Sequence, residues 1–229
     1  MANFVVAIDG YAGSGKSTTA RAVAARLGFF YLDTGAMYRA FTHKYILQGG
    51  GDPVDPALIK TLLERMQIDL IDHEGQTKVM LDGRDVSREI RTPRINDLVS
   101  QISARPEIRE SMVRRQREIA RDKNVVCEGR DITTVVFPDA AVKIYMDADL
   151  KTRAQRRRRE LGEKGIEVTL DDVMRNLKFR DDFDSSRKHS PLRRTPDSIL
   201  LDTTNLTIEE EINRVVEIVK KKLANSGKS

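Results

Sequence analysis

Apolar residues along the chain follow two periods. Short, mainly apolar runs stand at 3–9, 29–32, 125–128, 142–147 and 199–202. Runs of that length suit strands buried on both faces, as in a parallel sheet. Between them, apolar positions recur at helical spacing over 18–27, 36–48, 56–66, 93–104, 107–122, 150–163, 170–183 and 208–224. This alternation predicts an α/β fold, with helices flanking a central parallel sheet of five strands. The punctuation agrees. Gly28 fits a helix C-cap, Pro56 and Pro93 fall where a first helical turn tolerates proline, and Thr207 with Glu210 reads as a capping box. Each strand ends in, or directly before, an acid: Asp9, Asp33, Glu128, Asp147 and Asp202. In such sheets the carboxyl ends of the strands are where ligands gather.

Two segments break the alternation. After the breaker cluster Gly49-Gly50-Gly51-Asp52-Pro53 and one helix, runs at 68–72 and 78–81 flank a polar stretch and predict a hairpin. Asp82-Gly83 and Asp85 follow, ahead of a third short strand, so 65–105 reads as an insertion on the α/β core. The second break carries Arg153, Arg156, Arg157, Arg158 and Arg159 with no acid among 151–159, then Gly162 and Gly165. A solvated helix face and a hinged lid over an anion both fit this run. Four consecutive arginines point all round a helix, so they cannot all reach one ligand. The tail 225–229 is short and polar.

Composition narrows the function. The 229 residues hold 40 Lys plus Arg and 35 Asp plus Glu, a formal charge of +5. That modest excess suits small anionic substrates. Aromatics are 5% with no Trp, so stacking platforms for nucleic acid are scarce and no nucleic-acid partner is expected. Cys127 is the only cysteine, which rules out an internal disulfide and suits a small core residue. No apolar stretch is long enough for a membrane span, and the first apolar run is short, so a cytoplasmic protein without a membrane partner is expected. His43, His73 and His189 share no ligand spacing.

The chemistry starts at Gly10-Tyr11-Ala12-Gly13-Ser14-Gly15-Lys16-Ser17, followed by Thr18. It fits G-x-x-x-x-G-K-[ST] between a strand and a helix, the context that a phosphate-binding P-loop requires. Its backbone N–H groups form an anion nest backed by the helix dipole. Lys16 can reach the β- and γ-phosphates of a nucleoside triphosphate, and the Ser17 hydroxyl can bind Mg²⁺. A second anion site is offered by Asp33-Thr34-Gly35-Ala36-Met37-Tyr38-Arg39, where a strand passes into a helix. Glu128-Gly129-Arg130-Asp131 puts a cation and an anion at the same sheet edge. An internal salt bridge is a serious alternative for Asp131. Arg180, Asp184 and Arg187 share a helix face, either as an exposed ion pair or as a ribose acceptor between two phosphate-reading cations.

Together these residues resemble bacterial cytidylate kinases, of the P-loop nucleoside monophosphate kinase superfamily. The matching pieces are I-D-G-x-A-G-S-G-K-S-T at 8–18, Y-L-D-T-G-A-M-Y-R-A at 31–40, S-x-x-x-x-x-P-x-x-R at 100–109, Q-R at 116–117, E-G-R-D-I at 128–132, V-V-F-P-D-A at 135–140, R-D-x-x-D-S-x-R-x-x-S-P-L at 180–192 and D-T-T at 202–204. The resemblance implies Mg²⁺-dependent transfer of the ATP γ-phosphoryl group to CMP or dCMP. It implies that Thr34, Arg39, Arg130 and Arg187 hold the monophosphate, Ser100, Arg109 and Asp131 read cytosine, and Arg180 and Asp184 contact the ribose. Lys16, Arg130 and the lid arginines, taken as Arg156 and Arg158, would act on the transferred group, and the segment around 203–205 would lie near the adenine. It further implies one P-loop kinase domain over 1–229, monomeric, with core segments 1–64, 106–150 and 168–224, a monophosphate-binding insert at about 65–105 and an Arg-rich helical lid at about 151–167. Two positions depart from the family pattern: Thr133 stands where glycine is frequent, and Tyr11 where proline is common.

Overall fold

The computed structural model describes residues 3–73, 76–163 and 165–226, so Glu74 and Gly75 in the expected hairpin turn, and 227–229 of the tail, lie outside the described residues. The chain alternates strand and helix as its apolar pattern requires. β1 (Val5–Gly10), β2 (Phe30–Asp33), β6 (Val125–Gly129), β7 (Val142–Asp147) and β8 (Ile199–Asp202) form one sheet in the order β2-β6-β1-β7-β8. Its pairings are all parallel, so every acidic strand end lies on one edge. β1 is central, with Asp9 opposite Gly129 on one side and Tyr145 on the other. A smaller antiparallel sheet comprises β3 (Ile68–His73), β4 (Gln76–Leu81) and β5 (Arg84–Asp85). The third short strand thus begins directly at the Asp82-Gly83 turn, where both residues take positive φ, and already includes Asp85.

The helices are α1 (Lys16–Leu27), α2 (Thr34–Leu47), α3 (Pro56–Arg65), α4 (Pro93–Ser103), α5 (Pro106–Ala120), α6 (Leu150–Gly162), α7 (Leu170–Ser186) and α8 (Ile208–Ser226). Their ends follow local chemistry. Asp33 Oδ1 accepts the Ala36 N–H at 2.9 Å, so α2 starts at Thr34, two residues ahead of the apolar pattern. Gly28 closes α1 in the left-handed region. The Thr207 hydroxyl accepts from Glu210 N–H while Glu210 Oε2 accepts from Thr207 N–H, a reciprocal cap on α8. α7 runs three residues past 183 because Asp184, polar in sequence, is buried against Arg130.

Each face of the large sheet has its own core. Val6, Ile8, Ile144 and Met146 pack with Val23 of α1 and Val215 and Val219 of α8. Leu32, Cys127 and Ala7 pack on the other face with Met37 and Phe41 of α2 and with Leu70 and Val79 of the small sheet. Burying one such aliphatic side chain stabilises the fold by roughly 1.5–3 kcal/mol. A third cluster sets Ala12 of the P-loop against Ala154 of α6 and Val173 and Leu177 of α7. The residues after β6 form a π-helical turn, Ile132–Val136, that the apolar pattern did not announce. Its start is pinned by Asp9, whose carboxylate accepts Ile132 N–H, Thr133 N–H and the Thr133 hydroxyl at 2.6–2.8 Å.

Candidate active site

β1 delivers the chain to the P-loop at Gly10, where a Cβ would lie 1.9 Å from the Met146 carbonyl oxygen. Only glycine lets the loop leave the sheet there. Gly13 and Gly15 then take positive φ, which turns the backbone around an anion-sized hollow. Lys16 opens α1 and is 4% exposed. Its ammonium donates to Tyr11 O at 2.5 Å and Ser14 Oγ at 3.4 Å, both neutral acceptors. Burial, and then the Arg130 charge, pull its pKa down to about 7. A lysine in that condition is poised to gain from a polyphosphate. Ser17 Oγ donates to Glu128 Oε1 at 2.6 Å, which sets a hydroxyl and a carboxylate side by side at the end of β6. Burial, followed by Asp33, raises the Glu128 pKa. Two hard oxygen donors beside a phosphate nest fit a small divalent cation such as Mg²⁺.

Across the cleft, the ends of β2 and β6 meet α4, α5 and α7. Thr34 Oγ1 donates to Glu128 O at 2.8 Å. Arg39 donates to Asn96 Oδ1 at 2.5 Å, and burial followed by Arg180 lowers its pKa to about 10. Arg109 is 4% exposed, donates to Ser103 O at 2.9 Å and to Asp131 Oδ2, and lies over the Tyr38 ring. Arg130 Nε donates to Asp184 Oδ2 at 2.8 Å, and Arg187 Nη1 lies 3.8 Å from Asp184 Oδ1. Burial would raise the Asp184 pKa, but Arg130 and Arg187 outweigh it and hold it low. The arginines still outnumber their acids. Arg109 Nε, Arg180 Nε and Arg187 Nη2 are buried without a hydrogen-bond partner. Buried donors are rarely left so, and three on one wall point to an anionic ligand.

The arginines of α6 divide by helix face. Arg157 and Arg159 line the cleft, and Arg157 reaches Glu160 at 2.6 Å. Arg156 also lines it, held by Thr203 O at 2.7 Å and Glu211 Oε1 at 3.2 Å. Arg158, expected on the transferred group, is exposed and does not line the cleft, because successive helical residues turn by about 100°. Arg153 is buried beneath the P-loop.

One cleft of about 660 Å³ joins these parts. Its walls include Ala12, Gly13, Gly15, Lys16, Ser17 and Thr18 at one end and Thr34, Arg39, Ser100, Arg109, Arg130, Asp131, Arg180, Asp184 and Arg187 at the other. Gly10, Tyr11 and Ser14 belong to the same loop but do not line the cleft, and Ser14 Oγ donates to Tyr11 O at 3.0 Å. Glu128, Glu211, Arg91, Arg157 and Arg159 also face the cleft and were not singled out as binding residues from sequence. Glu128 had a legible signal, as an acid ending the strand beside the P-loop strand. Glu211 had none, being one of three consecutive glutamates on α8.

A P-loop opening into an arginine-walled anion site, at the carboxyl edge of a parallel sheet, defines a phosphotransferase of the nucleotide-kinase class. The family model described as cytidylate kinase matches residues 6–221. The chain is 50% identical to the cytidylate kinase of Caldanaerobacter subterraneus subsp. tengcongensis, over 94% of either chain. It is 48% identical to that of Carboxydothermus hydrogenoformans over 95% of this chain and 97% of the relative, and 47% identical to that of Lactobacillus johnsonii over 96% and 95%. The chain belongs to the cytidylate kinase family.

Proposed function

We propose that the cleft transfers the γ-phosphoryl group of ATP to the phosphate of CMP or dCMP, giving CDP or dCDP. The observation that carries this is the facing of two cationic ends in one cleft: buried Lys16 on the P-loop, and the under-bonded Arg109, Arg180 and Arg187 opposite. ATP lies along 10–18 with its phosphates on the loop. Ser17 and Glu128 hold Mg²⁺ with the triphosphate, and the ion supplies charge neutralisation to the phosphates. Thr34, Arg39, Arg130 and Arg187 grip the acceptor phosphate, with Arg180 and Asp184 at its ribose. Ser100, Arg109 and Asp131 read the base. Their Arg–carboxylate edge offers a donor and an acceptor side by side, which suits the N4–H₂, N3 and O2 pattern of cytosine.

The attacking oxygen is already an anion, so no general base is needed. The γ-phosphorus forms a bond to that oxygen as its bond to the β-bridging oxygen breaks, and ADP carries away the electron pair. Lys16, Arg130 and arginines of α6 offset the charge spread over the moving group. In this reading 65–105 is the acceptor arm, since Arg91 and Ser100 reach the cleft from it, and α6 with its C-terminal turn is the lid.

ADP release from MgATP, measured with CMP, dCMP, UMP, AMP and GMP each alone, tests the reaction. Rapid turnover is expected with CMP and dCMP only. Asp131→Ala should raise KM for CMP by about 10-fold or more while leaving ATP binding near wild type. Equal loss of both would remove Asp131 from the base-reading role.

A further inference from the structure

Arg153 stands apart from the other arginines of α6. It is 5% exposed, does not line the cleft, and is spent on other parts of the protein. Its Nε donates to Ala148 O at 2.9 Å, at the end of β7. Its Nη1 donates to Ala12 O of the P-loop at 3.2 Å and to Asp181 Oδ2 of α7 at 2.6 Å. The guanidinium also lies 5.1 Å from the centre of the Tyr11 ring. The main chain is equally close: a Cβ on Gly13 would lie 3.2 Å from Arg153 O. Apolar packing reinforces the joint, because Ala12 is buried with Ala154, Val173 and Leu177.

The partners of this one side chain belong to opposite ends of the cleft. Tyr11 and Ala12 are parts of the loop that carries the donor phosphates. Asp181 follows Arg180 directly and precedes Asp184 by three residues, on the helix assigned to the acceptor. The ion pair is nearly dry, with side-chain exposures of 6% and 13%. Such a pair holds its geometry tightly, and removing one partner leaves the other charge uncompensated. The planar fork suits the task, since Nε holds the guanidinium on Ala148 O while Nη1 bridges Ala12 O and Asp181 Oδ2, and an ammonium has no second nitrogen for that anchor.

We infer that Arg153 is a positioning residue that sets the distance and alignment between donor and acceptor by tying the P-loop to α7 through Asp181. Phosphoryl transfer depends on in-line placement of the two substrates, and a shift of about 1 Å can cost roughly 10²-fold in rate. Loss of the tie therefore acts on the chemical step and leaves each substrate's own contacts in place.

The inference rests on the reading that α7 holds the acceptor, and the test separates the two. Arg153→Lys keeps the charge and loses the fork. Asp181→Asn keeps the size and loses the charge, and answers the question if the lysine variant fails to fold. In folded protein, either change should lower kcat by about 10²-fold while each KM moves by less than about 3-fold. The double variant should be no slower than the worse single one, as expected for two residues acting as a unit. A merely structural arginine would lower the melting temperature and leave kcat per folded molecule unchanged. That result, a loss confined to one KM, or additive losses in the double variant would overturn the inference. Arg180→Ala is the control on the underlying reading. If it raises KM for CMP while Arg153→Lys and Asp181→Asn retain full kcat, only the tie is wrong. If it leaves KM for CMP untouched, the acceptor reading itself fails.

Discussion

Lys16 shows how burial sets up binding at a single residue. Its pKa near 7 lies below the ordinary 10.5, so between those values the unfolded chain binds more protons than the folded one. The burden of Lys16 on stability is therefore full below pH 7 and is relieved as pH rises toward 10.5. A triphosphate reverses the balance by favouring the ammonium. Calorimetry at pH 8, in buffers of different ionisation enthalpy, should show uptake of about one proton per bound ATP analogue. Lys16→Met should abolish that uptake and lower kcat by about 10²-fold or more. Thr133 makes a different point. Its hydroxyl is the third donor to the fully buried Asp9, whose pKa is raised by burial. Thr133→Val should cost about 1–3 kcal/mol in urea unfolding, and Thr133→Ser should restore most of it. The departure from glycine thus supplies an additional hydrogen bond to a carboxylate that has no water to turn to.

At the level of elements, what the chain pattern predicted and what it missed have separate causes. The five strands and the long helices were legible because their apolar periods are clean and their ends carry Gly28, Pro56, Pro93 and Thr207. The π-helical turn at Ile132–Val136 was not, since five residues are too few to show a helical period and the turn is held by a carboxylate from β1, distant in sequence. The cleft residues carried on strand ends and motifs were legible in the same way. Those that depend on rotation about a helix were not: the sequence could not say which face of α6 turns inward. Arg157 and Arg159 face the cleft and Arg158 faces water. Arg157→Ala should lower kcat by about 10-fold or more, whereas Arg158→Ala should leave it within about 2-fold, as measured by initial rates at saturating substrates. The reverse order would mean that α6 rotates before transfer.

The molecule as a whole is organised around unneutralised positive charge. Among the described residues, three core clusters support a cleft in which burial, and after it the crowding of arginines, brings Arg39 and Arg180 both down to about 10. That crowding works against the empty fold and in favour of the anions that relieve it, so substrate binding and global stability are linked. The lone thiol offers a way to read that linkage. Cys127 lies fully buried in β6, between β1 and β2, with the P-loop strand beside it. No small reagent can reach it without parting the central sheet, and burial raises its pKa well above the ordinary thiol range, which suppresses the reactive thiolate. The chain therefore contains its own opening clock. Alkylation by a maleimide should be slow in the native protein, and a mixture of ADP and CMP at 100 times their dissociation constants should slow it further by about 10²-fold or more. For the same reason, a cysteine placed on α6 could carry a dye that follows lid movement with Cys127 left in place, silent within the central sheet.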